Sequence, residues 1–110
     1  MYEAQLRVSY WLASNDRTYR LDLSNLSLTE LPNNFPVDFN GKLDCSNNLL
    51  TTLSLPMATH VECSDNKLTN LSLPTATGVF CHNNQLTTLS LPMATHINCS
   101  NNQLTTQNKR

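Results

Sequence analysis

The four cysteines of this 110-residue chain stand at 45, 63, 81 and 99, and every interval between them is 18 residues. A fixed period decides architecture before any other pattern does, because each period must be one structural unit stacked on the next. Aligned on the cysteines, the units read LDCSNNLLTTLSLPMATH over 43–60, VECSDNKLTNLSLPTATG over 61–78, VFCHNNQLTTLSLPMATH over 79–96 and an unfinished INCSNNQLTT over 97–106. The first and third agree at 14 of 18 positions and the first and second at 11, so the repeat governs the whole unit and not the cysteine alone. An earlier unit, LDLSNLSLTELPNNFPVDFNGK over 21–42, opens the same way with Leu23 in the cysteine position and runs 22 residues. Five strand-bearing coils are therefore expected, the last incomplete.

Each unit opens apolar-x-Cys-x-x-Asn-x-Leu, as in Val61, Cys63, Asn66 and Leu68. Its period-2 alternation predicts a strand of about three to five residues. An 18-residue period cannot also hold a helix of typical length, which takes about 11 residues alone. The return leg Leu-Thr-x-Leu-Ser-Leu-Pro must then be extended or single-turn, its proline forbidding a regular helix. Stacked coils would align the strands as one parallel sheet with a spacing of about 4.7–4.9 Å. The chain has 19 Leu, 15 Asn and 13 Thr but only two Gly, so asparagine must do the repetitive backbone work that glycine does elsewhere. Asn48, Asn66, Asn84 and Asn102 recur where the strand ends and the chain turns inward. An amide side chain carries both donors and an acceptor, enough to satisfy the backbone of the neighbouring coil in a ladder. Leu26 holds that position in the first coil, so the ladder is expected to begin at the second.

The segment Ala58-Thr-His-Val-Glu-Cys-Ser-Asp-Asn-Lys-Leu68 resembles the leucine-rich repeat segment LxxLxLxxNxL, with Ala58 for its first Leu and Cys63 for its third. The stretches Cys-Ser-Asn-Asn-Gln-Leu-Thr at 99–105 and Leu-Asp-Leu-Ser-Asn-Leu-Ser-Leu-Thr-Glu-Leu-Pro at 21–32 are similar to the short bacterial repeats of secreted effectors. The resemblance covers 20–106. At 18 residues the unit is shorter than the roughly 20–29 of leucine-rich repeats generally. The fold it implies is a repeat solenoid with one parallel β-sheet on the concave face, extended or single-turn convex legs and an N-terminal helical cap. The function it implies is a protein–protein interaction module without catalysis of its own. The alternative implied is the substrate-recognition part of a longer bacterial effector enzyme such as a ubiquitin ligase, or a truncated gene product.

Three regions follow: a cap over 1–19, the solenoid over 20–106 and a polar tail over 107–110. The cap holds every Tyr and the Trp of the chain. Tyr2, Leu6 and Tyr10, with Val8 and Leu12, sit at i, i+4 spacing and predict a helix ending near Ser14-Asn15-Asp16, although Leu6 to Leu12 also alternate as a strand would.

Other chemistries fare poorly. The cysteines show no Cys-x-x-Cys pair, and in stacked coils their side chains would run parallel and inward, so buried thiols are expected rather than disulfides or a metal site. Reduced cysteines suit the cytoplasm or a Sec-independent route of delivery, and the start of the chain lacks the basic and apolar regions of a signal peptide. His60 and His96 share a repeat position, roughly 9–10 Å apart, and His82 lies elsewhere, so no triad converges. No phosphate loop or Gly-x-Ser-x-Gly is present, and no cofactor is expected. Seven basic residues against eight acidic ones, all scattered, give no footprint for nucleic acid or for a membrane surface.

Recognition would then use the strand positions that face outward: Arg20, Asp22 and Ser24; Lys42, Asp44 and Ser46; His60, Glu62 and Ser64; Gly78, Phe80 and His82; His96, Asn98 and Ser100. Asp22, Asp44 and Glu62 make an acidic column that Arg20, Lys42 and His60 offset. Phe80 breaks that column, and with His82, Glu62, His60 and Asn98 it forms the candidate binding set for a protein partner of unknown identity. The strand 96–100 is a candidate edge for self-association, with fraying of the last coil as the alternative.

Overall fold

Alternating segments pair with their copies one period later. In the computed structural model, which describes residues 2–16 and 18–104, seven short strands follow one helix. They are α1 (Tyr2–Ser14), β1 (Leu21–Asp22), β2 (Lys42–Asp44), β3 (Thr52–Ser54), β4 (His60–Glu62), β5 (Asn70–Ser72), β6 (Gly78–Phe80) and β7 (His96–Asn98). The sheet runs β1-β2-β4-β6-β7, all parallel, with Leu21, Leu43, Val61, Val79 and Ile97 in register. The result is a parallel-sheet β-solenoid of about four turns with one N-terminal helix. No helix among the described residues is long and apolar enough to cross a membrane. The C-terminal half of the fifth coil and the polar tail, residues 105–110, lie outside the described residues.

The return legs pair as well. β3 and β5 form a second, two-stranded parallel sheet, Leu53 opposite Leu71, where the sequence predicted only extended legs. Each complete 18-residue coil thus sends six apolar residues inward, and in the third coil they are Val61, Cys63, Leu68, Leu71, Leu73 and Ala76. All six are buried except Leu71, which is partly so.

The asparagine ladder holds these coils in register. Asn66 Nδ2 donates to the carbonyls of Cys45 (3.0 Å), Cys63 (3.1 Å) and Ser64 (3.2 Å), and its Oδ1 accepts the Leu50 N–H at 3.0 Å. Asn84 and Asn102 repeat the arrangement one coil on each time, accepting from Leu68 and Leu86. Asn48 begins it, taking the N–H groups of both Leu26 and Leu28. The residue before each ladder position does a second job: Asn47, Asp65, Asn83 and Asn101, and Asn25 before Leu26 in the first coil, all have φ of 56–59°. That left-handed conformation costs most side chains roughly 1–2 kcal/mol, and Asn and Asp tolerate it best after Gly. The paired asparagines of the repeat therefore divide the turn between them, the first bending the chain and the second satisfying it.

The helix predicted at the N-terminus is present, but it buries a different face. Ala4, Val8 and Trp11 point into the core, while Tyr2, Tyr10 and Leu12 are exposed. Trp11 decides the orientation, because its ring packs 4.8 Å from Phe39 and its Nε1 donates to the Tyr19 carbonyl at 2.7 Å. Phe39 belongs to the long segment that makes the first coil 22 residues, and Asn34 from the same segment donates to the Gln5 carbonyl at 3.0 Å. The longer coil is what grips the helix.

Cys45, Cys63 and Cys81 are fully buried free thiols, as the spacing predicted, but Cys99 is only half-buried on the last described strand turn. Burial pushes the Cys45 and Cys81 thiols up to about 12, with the Asp44 carboxylate adding to the first, and lifts Cys63 well above its usual range. A thiolate-directed reagent at neutral pH should therefore modify Cys99 first and the other three only on denaturation. Mass-mapped labelling checks this, and early modification of Cys63 would contradict the packing.

Candidate recognition surface

The outward positions of β1, β2, β4, β6 and β7 form three rows. The middle row, Asp22, Asp44, Glu62, Phe80 and Asn98, follows the strand register directly. Three of its members are tied down locally. Asp22 Oδ1 accepts from the Ser24 N–H (2.9 Å) and hydroxyl (2.6 Å), Asp44 does the same with Ser46, and Asn98 with Ser100. The Ser24 hydroxyl, helped by its N–H and by the guanidinium groups of Arg7 and Arg20, holds the Asp22 carboxyl below the usual carboxylate range against a partial burial that opposes it. Ser24 of the third row thus favours the charged form of Asp22, and Ser46 makes the same pair of hydrogen bonds to Asp44.

The expected neighbour-by-neighbour compensation of the acidic column takes a different form. Arg20 reaches across the second coil to Glu62, Nη1 to Oε2 at 3.3 Å, because the longer glutamate side chain extends further from the sheet than Asp44 does. Arg7 of α1 donates to the Asp22 carbonyl at 3.0 Å and lies 4.0 Å from its carboxylate. Lys42 is half-buried and has no hydrogen-bond or ion-pair partner among the described residues.

The fourth coil departs from the pattern at all three outward positions. Gly78 stands where His60 and His96 stand in the flanking coils, Phe80 replaces the acid, and His82 replaces the serine. A Cβ on Gly78 would lie 2.8 Å from the His60 Cδ2, so the glycine lets the His60 ring lean over β6. His60, Glu62 and Phe80 line one cavity of about 140 Å³ with Arg20, Lys42 and Gly78. Phe80 is 39% exposed at its edge. His82 is beside this cavity and not in its lining, with its buried Nδ1 lacking a hydrogen-bond partner among the described residues. Asn98 lines a separate recess of about 430 Å³ with Ile97, Cys99 and Leu104 at the β7 edge. The structure therefore brings three of the five candidate residues together and leaves His82 and Asn98 outside. Two further predicted outward positions, Ser64 and Gly78, are buried.

No family model, curated protein or solved structure is significantly similar to this chain. The surface must be read from its own chemistry.

Sequence reasoning missed Lys42 and Gly78 as members of the cavity. The signal was available for Gly78: one of only two glycines, at a position where neither neighbouring coil has one. No signal showed that Arg20 would skip a coil to pair with Glu62.

Proposed function

We propose that the chain is a protein-interaction module that binds through the outer face of its five-stranded sheet and carries out no chemistry itself. The leucine-rich repeat reading of the coils belongs to this proposal, since such repeats present their strands to partners. The observation that carries it is the concerted break in the fourth coil. A self-satisfied Asp–Ser pair is the resting content of this surface, and at 80 and 82 an aromatic and an imidazole take its place with no gain to the ladder beneath. Partly exposed aromatics beside a cavity are the side chains on which binding energy concentrates.

The test compares affinity capture by the wild-type chain, by Phe80→Ala and by Met93→Ala, a control exposed on the return side of the coil. Proteins bound through the sheet face should fall about tenfold or more with Phe80→Ala and stay unchanged with Met93→Ala, while both variants melt like the wild type. Equal recovery with Phe80→Ala and wild type would remove Phe80 as the anchor. Leu86→Ala is the contrast for a folding defect, because a buried leucine truncated between stacked coils costs roughly 2–5 kcal/mol.

A further inference from the structure

The cavity between β2, β4 and β6 has a size and a charge that together select a ligand. Its volume, about 140 Å³, is close to the roughly 150 Å³ that holds one benzene ring in an apolar protein cavity. His60 and Phe80 are among its lining residues, and the absent side chain of Gly78 makes room for the His60 ring over β6. The side chains of Leu43 and Val61 are buried in the core, so the floor is main chain. The charges around it are already committed, with one exception. Glu62 accepts from Arg20, and Asp44, two residues beyond Lys42 on the same strand, has its Oδ1 engaged by Ser46. Lys42, a half-buried residue of the cavity lining, is left without a counterion among the described residues. An unpaired ammonium gains from an incoming carboxylate, through a charge-assisted hydrogen bond.

We infer that this cavity receives the aromatic side chain of an extended partner peptide, with an acidic residue within two positions of it paired to Lys42. The inference rests on the sheet face being the binding face and adds what that face selects. A ring stacks on or meets the edge of Phe80, an arrangement worth about 0.5–1.5 kcal/mol beyond area burial. Lys42 and Phe80 are two strands and two residues apart, roughly 9–10 Å by 6–7 Å. A lysine side chain covers part of that span, and the remainder matches the roughly 6–7 Å between alternate residues of an extended peptide. Selectivity would then come from two features in tandem, a ring-sized space and one unsatisfied positive charge.

The probe is a blocked pentapeptide, Ala-Phe-Ala-Glu-Ala, titrated into the full chain by heteronuclear NMR beside versions carrying Gln for Glu, Lys for Glu and Ala for Phe. Expected are amide shifts at Lys42, Gly78 and Phe80, with the Glu peptide binding at least fivefold tighter than the Gln and Ala versions. Lys42→Glu should reverse the preference so that the Lys peptide binds best, a change that a purely structural role for Lys42 would not produce. Gly78→Ala pushes the His60 ring aside and should weaken the Phe peptide several-fold with the melting curve little changed, since His60 is exposed and gives up at most its hydrogen bond with the Thr59 hydroxyl. Equal binding of the Glu and Gln peptides, or no shift at millimolar peptide, overturns the ligand chemistry. If Phe80→Ala still loses protein partners in that case, the sheet face stands as the binding face; shifts confined to the return legs, with partner capture insensitive to Phe80→Ala, overturn both.

Discussion

Asn66→Asp should leave the chain unfolded at neutral pH. The wild-type side chain is 8% exposed, and its Nδ2 faces three carbonyl oxygens, those of Cys45, Cys63 and Ser64. The substitution is nearly isosteric, so no cavity forms and packing is not the issue. It exchanges a donor for an acceptor in a place surrounded by acceptors. Each buried polar group left unsatisfied costs about 1–3 kcal/mol, and a carboxylate that must ionise there costs more. A chain of this length holds about 5–15 kcal/mol of stability in all. Protonation restores a donor, so the folded state, which raises the pKa of the new carboxyl, should partly return as the pH falls into the mildly acidic range. Circular dichroism of the variant at neutral and mildly acidic pH measures this. A variant as stable as the wild type at pH 7 would show that the ladder is dispensable.

The ladder was legible in the sequence because its residues recur at one position per coil and because an inward turn leaves backbone groups that something must satisfy. The strands were legible for the same reason, since Leu21, Leu43, Val61, Val79 and Ile97 each precede the conserved period-2 core position by two residues. Where the sequence repeats, each coil confirms the register of the next. Reading failed where the chain does not repeat. The stripe Tyr2, Leu6 and Tyr10 has the right spacing for a buried helix face, yet the face that docks is set by Trp11 meeting Phe39, a contact between two segments that occur once each. The left-handed residues were half visible: a chain with 15 Asn and two Gly has to place asparagine at positive φ, but which asparagine of each pair does so follows only from the backbone. In the candidate site, Phe80 stood out as an exception within its column. Lys42 did not, because its importance comes from Arg20 having chosen Glu62 instead of a nearer partner.

The second large effect is alkaline unfolding that begins just above pH 9. Three thiols share one stacked column, and burial raises all of them: Cys45 and Cys81 to about 12, and Cys63 well above the ordinary value, with Cys45 and Cys81 as its neighbours in the column. Below about pH 8 both the folded and unfolded chains keep these groups protonated, and they contribute no pH dependence. Between pH 9 and about 12 the unfolded chain releases protons that the folded chain retains, so stability falls as pH rises. Each thiol contributes about 1.4 kcal/mol per pH unit in that window, and three together about 4 kcal/mol per unit. Against a total of about 5–15 kcal/mol, that slope offsets the lower figure within roughly one pH unit and about 12 kcal/mol over the three units of the window. Cys63→Val keeps an apolar side chain of similar size in the column, where the first coil already places Leu23. It should hold neutral-pH stability to within about 1.5 kcal/mol and flatten the alkaline slope by about a third. Urea titrations at pH 8, 9.5 and 10.5 under reducing conditions give both slopes, and an unchanged slope in Cys63→Val would show that the column is not what the folded state protects.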